Sequence, residues 1–503
     1  MAKTNIAFRV DASNQIGTGH FMRCLTLADE LKKQGAQVRF ITRNLPAHLS
    51  DMLTQKGMEY LPLILDDAKE ALDDLAHASW LGTSQALDAQ VTLQALADQS
   101  WDWIIVDHYA LDVRWEKAVR SSCKNLMVID DLADRKHDCD VLLDQNYYAD
   151  MQTRYVGKFP AHCQLLLGPR YALLREEFRT LREKVKVRAG DVKKILVFFG
   201  GVDASNYTSF AIQALAELNC RQQVDVVIGA QHPNREQIQQ SCIHHGFICH
   251  VQTATMADLM AEADLAIGAG GVATWERCCL GLPTISFCLA DNQRKLITDG
   301  AAAGLLYAPI SGRTLLEVIR DHLRNLLENP ALIKLISERA INFVDGKGSL
   351  RVASAMGISS IEIKQASKED SKNLFDWRNH PKIREASINS ASISWDEHQR
   401  WFEAVLTDKN RELIIGMAKD KTVGVVRFDI ENDFAEVSIY LIQDAGFAGQ
   451  GRNLLISAER WLNANRPEIR RIRASVLAEN EVSKNLFLAS SYHECKICYQ
   501  KDL

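Results

Sequence analysis

No apolar run in these 503 residues approaches the roughly 20 needed to cross a bilayer. The opening residues Lys3-Thr4-Asn5 lead straight into Ile6-Ala7-Phe8, a short strand pattern rather than the long apolar core of a signal peptide. Both absences point to the cytoplasm. Arginine-rich tails and zinc-finger spacings are also missing. The formal net charge of -5 gives no general attraction to nucleic acid or anionic lipid, although a local basic pocket for phosphate is compatible with it. No nucleic-acid partner, no membrane partner and no metal are therefore expected, and the oligomeric state is left open. No G-x-x-x-x-G-K-[ST] occurs, which excludes a P-loop nucleotide hydrolase. No G-x-S-x-G elbow occurs, which argues against a serine hydrolase of the α/β type. The twelve cysteines form no disulfide framework. Cys24, Cys123, Cys220 and Cys288 are scattered through apolar surroundings, and the neighbours Cys278 and Cys279 are no normal bridge. Cys495-Lys496-Ile497-Cys498 lies in a strand-like segment without a following helix, so packing explains it better than redox or metal chemistry.

What is present is the composition of a folded chain, 47% hydrophobic and 24% charged, too long for one ordinary core. Residues 5–10 read as a strand, residues 21–34 as a helix stopped by Gly35, and residues 37–41 as the next strand. Residues 103–106 and 125–129 are apolar without alternation, as expected of parallel strands buried on both faces. A second series follows a charged stretch, with strands at 194–199, 223–228, 265–267 and 283–288 and a closing helical pattern from Pro330 to about Met356. Beyond Gly357 the pattern changes. A strand at 361–364 precedes Ser367-Lys368-Glu369-Asp370, whose spacing is that of a capping box, and Ser394-Trp395-Asp396-Glu397 repeats the device before a helix through Phe402. Three antiparallel strands are expected at 411–418, 421–428 and 434–441. A glycine-rich loop, a helix at 453–461, a strand plus turn at 473–480 and a helix from Ser483 to about Leu488 complete the pattern. The expected class is α/β: two Rossmann-like domains, residues 1–185 and 186–360, followed by an α+β domain, residues 361–503.

Gly17-Thr18-Gly19-His20 stands between the first strand and its helix, at the carboxyl edge where open α/β sheets bind ligands. Near a helix N-terminus, His20 is disfavoured as an imidazolium and available as a neutral base; a histidine filling a capping position is the other reading. In the second series, Gly200-Gly201 follows one strand and Gly268-Ala269-Gly270-Gly271 another, immediately before a helix. Such turns offer unpaired amides to a diphosphate. Glu276, in the first turns of that helix, is placed to accept from ribose hydroxyls or to complement the helix dipole. Asp291-Asn292-Gln293 adds polar groups at the same edge.

The ordered blocks residues 9–23, Asp107-His108-Tyr109, residues 268–277 and Asp291-Asn292-Gln293 resemble the UDP-sugar hydrolase of pseudaminic acid biosynthesis, over about residues 5–355. That family is related to the two-domain nucleotide-sugar glycosyltransferases, so the resemblance implies a glycosyltransferase-B-like arrangement. It also implies cleavage of UDP-2,4-diacetamido-2,4,6-trideoxy-β-L-altropyranose to UDP and the free sugar, with C–O scission and His20 activating water. In such a site Gly17 and Gly19 shape the first turn, Gly270 and Gly271 hold diphosphate and Glu276 holds ribose. Asp11, Asp107, His108 and Tyr109 line the sugar or water, unless the aspartates only cap helices and the other two only shape the cleft. A glycosyltransferase using the same crevice is the alternative reading.

In the third domain, Gly446-Phe447-Ala448-Gly449-Gln450-Gly451 between a strand and a helix is a cradle for a pyrophosphate. With residues 361–500 it resembles the GNAT N-acetyltransferases, and Trp377-Arg378-Asn379 with residues 394–401 resembles the branch acting on amino sugars. The resemblance implies acetyl-CoA as co-substrate. Its pyrophosphate would lie on Gly446, Ala448, Gly449, Gln450 and Gly451, its pantetheine along Ser438, Tyr440 and Leu441, and Asn480 would contact it further on. Arg378 and His398 are the expected substrate contacts. An ammonium has no nucleophilic lone pair, so transfer needs a proton acceptor; Glu436 is the candidate, a solvated strand glutamate being its bland reading. Many GNAT enzymes carry a tyrosine where this chain has Phe487, which cannot donate a proton. That departure leaves room for a degenerate nucleotide-sugar or acetyl-CoA sensor.

Overall fold

The structure is a computed structural model describing residues 4–13, 15–64, 73–309, 314–358, 361–387, 389–418, 421–442, 450–490 and 492–494, the side chains of Asn292 and Ala489 excepted. The chain divides into two compact units, Met1–Val352 and Ala353–Leu503. Among the described residues no helix is long and apolar enough to cross a membrane.

Unit 1 contains two parallel sheets. The first is built from β1 (Asn5–Val10), β2 (Gln37–Thr42), β3 (Glu59–Pro62), β4 (Trp101–Asp107), β5 (Cys123–Ile129), β6 (Val141–Asp144) and β7 (Gln164–Leu167), in the order β3-β2-β1-β4-β5-β6-β7. The second contains β8 (Lys194–Phe198), β9 (Gln223–Ile228), β10 (Ile248–Val251), β11 (Leu265–Ala269) and β12 (Thr284–Phe287), in the order β10-β9-β8-β11-β12. Strands β1 and β11 are buried almost throughout, as sheets covered on both faces require. Strand order reverses between β1 and β4 in the first sheet and between β8 and β11 in the second. These switch points open the crevices where α/β sheets place ligands.

The sequence reading does not include β3, β6, β7 and β10, whose four residues each are too few for a periodicity to show, whereas the equally short β12 and Glu362–Gln365 are expected from their place in the pattern. The first helix, Gly19–Lys33, begins earlier than its apolar pattern suggests, so His20 lies inside its first turn. The preceding loop is closed by Gly17 N–H donating to the Ser13 carbonyl at 2.8 Å. Gly17 takes a φ of +77° there, a conformation that costs glycine least.

Unit 2 is one sheet, β13 (Glu362–Gln365), β14 (Arg411–Ala418), β15 (Lys421–Glu431), β16 (Phe434–Leu441) and β17 (Arg471–Arg473), in sequential order. All neighbours are antiparallel except β16 and β17. Both expected capping boxes form. Ser367 and Asp370 open a short 3-10 turn ahead of the helix Ser371–Arg378, and Ser394 and Glu397 open the helix Trp395–Thr407. These two helices cover one face around Leu374, Phe402, Leu413 and Val425, and Gly451–Asn465 covers the other around Val426, Phe428 and Leu454. Of the strand plus turn expected at 473–480, the turn is present at 478–479, but the strand is shorter and lies earlier. Only Arg471–Arg473 pairs with β16, after which Ser475 reaches Glu436 and Asn480 caps the helix Glu481–Ala489.

Candidate functional site

His20 Nδ1 lies 2.6 Å from Asp107 Oδ1. Asp107 closes β4 and pairs in register with Val10 of β1, so the two residues meet at the first sheet's switch point. Arg23, one turn after His20, grips the same carboxylate through Nε at 2.6 Å and Nη2 at 2.7 Å. Burial works against ionising Asp107, but Arg23 and His20 outweigh it and hold the carboxyl below its usual range. The 2.6 Å contact is shorter than the 3.2 Å approach of Arg23 Nη2 to the same nitrogen and favours Nδ1–H donating to Asp107, the tautomer in which Nε2 carries the lone pair. The His20 ring is 8% exposed and meets Tyr109 edge-on at 4.5 Å. Trp80 stacks on Tyr109 at 5.5 Å, and His77 meets Trp80 at 4.6 Å, forming an aromatic wall beside His20. The sequence reading gave no role to His77, Trp80 or Arg23. Only Arg23 had a legible signal, its i,i+3 spacing from His20 on a helix.

The other front-half candidates separate into two groups. Asp11 is fully buried, 2.8 Å from Arg9 Nη1, and accepts from the Arg43 amide at 2.7 Å, which ties the end of β1 to the end of β2. Burial opposes its charge, yet Arg9 and His108 keep it ionised. His108 Nε2 lies 3.3 Å from Asp11, and its Nδ1 accepts from the Ala110 amide at 3.1 Å. Burial pushes the His108 pKa down. This pair braces the strand ends. Tyr109 instead shapes the site, its ring on His20 and its hydroxyl donating to Asp131. Beside Gly17 and Gly19 no atom lies within 4 Å of where a Cβ would stand.

At the second switch point, β11 ends in the expected turn. A Cβ at Gly268 would stand 2.2 Å from the Phe198 carbonyl, one at Gly270 would strike Ile297, and Gly271 takes a φ of +107°. The helix Val272–Cys279 starts there, with first-turn amides that have no intrahelical acceptor. Glu276 lies 3.6 Å from Arg175, and burial raises its pKa. Asp291 opens the helix Asp291–Ala302 with its side chain in solvent. Gln293 Oε1 accepts from the Leu289 amide at 3.1 Å, and its Nε2 lies 3.9 Å from where a Gly271 Cβ would stand. The Asn292 backbone belongs to that helix; its side chain lies outside the described residues.

One chain of hydrogen bonds joins the two switch points, from the Asp107 partner of His20 to the helix that follows Gly271. Arg23 Nη1 donates to Asp131 at 2.9 Å, Asn146 Nδ2 donates to the same oxygen at 3.0 Å, and Trp275 Nε1 donates to Asn146 Oδ1 at 2.9 Å. Trp275 belongs to the helix capped by Gly271, so His20 and the glycine turn share one buried polar scaffold.

In unit 2 the ladder between β16 and β17 stops at Glu436 and Arg473, and the strands part beyond it. Ser438 is exposed on β16, Tyr440 packs toward the helices Ser371–Arg378 and Trp395–Thr407, and Leu441 ends the strand against the opposite core. Burial raises the Tyr440 pKa. Gly446, Ala448 and Gly449 lie outside the described residues. Gly451 begins the helix Gly451–Asn465, and Gln450 precedes it, accepting from Asn453 at 2.6 Å.

Glu436 is half-buried and accepts from the Ser475 hydroxyl at 2.6 Å. Asn480 caps its helix through the Ser483 amide at 3.0 Å and donates to the Ala386 carbonyl at 3.2 Å. Arg378 donates to the Asn389 carbonyl at 2.6 Å, and burial lowers its pKa. His398, 1% exposed, stands among Phe375, Trp395, Trp401 and Phe402, with Nε2 2.9 Å from the Ser371 carbonyl. Burial lowers its pKa. Phe487 is a core residue packed on Tyr492, whose hydroxyl donates to Glu459 at 2.7 Å.

Comparison with known proteins follows the same division. Residues 194–340 match the glycosyltransferase family 28 C-terminal domain, and residues 361–490 match the acetyltransferase (GNAT) domain. Over 302 residues, 59% of this chain and 97% of the relative, the chain is 26% identical to the UDP-2,4-diacetamido-2,4,6-trideoxy-beta-L-altropyranose hydrolase of Campylobacter jejuni. Over 87 residues, 17% of this chain and 55% of the relative, it is 28% identical to the acetyltransferase PseH of the same organism, so it spans about half of that protein. It is also 23% identical over 517 residues to an uncharacterized protein of Methanocaldococcus jannaschii, covering 98% of this chain and 97% of that one. The chain therefore joins a glycosyltransferase-B-like α/β unit, related to the UDP-sugar hydrolase of the pseudaminic acid pathway, to a GNAT acetyltransferase domain.

Proposed function

We propose that unit 1 hydrolyses UDP-2,4-diacetamido-2,4,6-trideoxy-β-L-altropyranose to UDP and 2,4-diacetamido-2,4,6-trideoxy-L-altrose. The observation that carries this reading is the His20–Asp107 contact of 2.6 Å at the switch point, a dyad in which a buried carboxylate fixes the imidazole tautomer. Residues 1–185 supply the base and residues 186–360 hold the nucleotide. Water attacks the anomeric carbon as its bond to the UDP oxygen breaks, and that electron pair leaves on the β-phosphate. His20 Nε2 takes the proton from water late in bond formation, and Asp107 stabilises the resulting imidazolium. UDP is a good leaving group, so the amides of Gly270, Gly271 and the helix start can support the developing phosphate charge without a strong general acid. Tyr109 and Trp80 offer flat apolar faces for the deoxy sugar.

Residues 361–503 transfer an acetyl group from acetyl-CoA to the 4-amino group of the UDP-sugar precursor. Glu436 accepts the amine proton, the nitrogen attacks the thioester carbonyl, and CoA departs as thiolate. With Phe487 in place of a tyrosine, that thiolate is protonated by solvent. The acetylated product is the substrate of unit 1, so the two reactions are consecutive and the enzyme works in the cytoplasm.

The full-length protein is to be given acetyl-CoA and the UDP-linked 4-amino sugar, with acetyl transfer and UDP release followed separately. Acetylation should come first and UDP release should follow only from the acetylated sugar. An unacetylated amino sugar would overturn the assignment of unit 2. An intact UDP-diacetamido sugar would overturn that of unit 1, and UDP release only with an added sugar acceptor would make it a glycosyltransferase.

A further inference from the structure

Arg277 has no role in the proposed chemistry, yet it lies directly beneath the glycine turn. It is 2% exposed. Its Nη2 donates to the Ala269 carbonyl at 2.6 Å, and its Nη1 lies 3.1 Å from where a Cβ at Gly268 would stand. Its Nε, buried, has no hydrogen-bond partner. Among the described residues no carboxylate forms an ion pair with it, and the adjacent Glu276 faces Arg175 instead. Other buried arginines of unit 1 are differently served. Arg9 faces Asp11 and Asp88, Arg23 faces Asp107 and Asp131, and Arg135 faces Asp130. Arg188 lacks a carboxylate but is wrapped by the carbonyls of Met260, Ala261, Ala263 and Leu280. A buried cation with one hydrogen bond to a carbonyl and no ion pair, helped only at longer range by the charge of Glu276, destabilises a free protein, and its retention under the glycine turn calls for a ligand charge. Burial lowers the Arg277 pKa to about 10, which still leaves it charged at neutral pH.

We infer that Arg277 is the buried counter-charge for the diphosphate of the nucleotide, acting from below the turn by holding the Ala269 carbonyl and adding positive potential to the amides above. This rests on the nucleotide-sugar reading of unit 1. Arg277 is a positioning residue: the turn and the helix amides touch the phosphates, and Arg277 shapes and charges them.

UDP and UMP binding to full-length wild-type, R277M and R277K proteins is to be measured by calorimetry, with thermal unfolding of each chain without nucleotide. R277M should weaken UDP about tenfold or more and UMP less than about threefold, because the β-phosphate adds the charge that Arg277 opposes. R277K should keep most of the preference for UDP over UMP. The nucleotide-free R277M chain should melt at the same or a higher temperature, since an unpaired buried charge has been removed. An unchanged UDP-to-UMP ratio in R277M, or an R277M chain that melts lower or fails to fold, would make the arginine purely structural and overturn the inference. A wild-type chain that binds neither nucleotide would overturn the nucleotide reading itself.

Discussion

His20 and Glu436 are assigned the same task, taking a proton from a nucleophile, in very different surroundings. His20 is tied to a buried aspartate, which is gripped by Arg23, which is shared with Asp131 and continues through Asn146 to Trp275. Glu436 is half-buried on a strand near the edge of its sheet, with one serine hydroxyl on its carboxylate. The difference follows from what each group must do. An imidazole must hold one tautomer to be a base at a chosen nitrogen, so it needs an oriented partner. A carboxylate has no tautomer to fix, so access is its main requirement. On the proposed roles, unit 1 couples its base to its fold, whereas unit 2 leaves its base nearly independent of it.

That contrast can be broken first at His20. H20A should lower UDP release about a thousandfold, within the usual range for removing a general base, and leave acetyl transfer unchanged. Unchanged UDP release would remove His20 from the mechanism. D107N should lower UDP release about a hundredfold by loosening the tautomer, and it carries a stability signature as well. The Asp107 pKa is below its ordinary 3.8 in the folded protein. Its stabilisation is therefore complete above that value and is lost as pH falls below it. Acid unfolding curves should show D107N losing this dependence and wild type keeping it. Identical curves would mean that Asp107 is not charged through its contacts with Arg23 and His20. E436Q should slow acetyl transfer about tenfold at pH 7, with the deficit shrinking as pH rises and the amine loses its own proton. Protein stability should hardly change. A large loss of stability in E436Q would contradict the contrast from the other side.

The parts of the fold legible in the sequence are those with long, unalternated apolar runs. Strands β1, β4, β8 and β9 fall where their buried residues announce them, and the capping boxes at Ser367 and Ser394 mark helix starts by chemistry that is local. Strands β6 and β7 are four residues long, and their pairing depends on neighbours far away in the chain. The same division holds for the site. His20 and residues 268–271 stand beside glycine turns whose function is local. Asp107 stood out in its motif, but its bond to His20 depends on β1 lying next to β4, a fact of sheet order that no local pattern contains. Asp11 and His108 are equally visible in the sequence, but their contact with each other and the Arg43 amide on Asp11 exist only once β1, β2 and β4 lie side by side. In unit 2, β16 was legible, whereas the early end of its pairing with β17 reflects where the chain turns to cap the next helix.

Hydrolysis of the UDP-diacetamido sugar in water enriched with oxygen-18 tests the dyad's chemistry most directly. A water activated by His20 and aimed at the anomeric carbon places the label on C1 of the free sugar, inverts the anomer first released, and leaves UDP unlabelled. Label in the β-phosphate of UDP would mean attack at phosphorus, and the His20–Asp107 mechanism would be wrong.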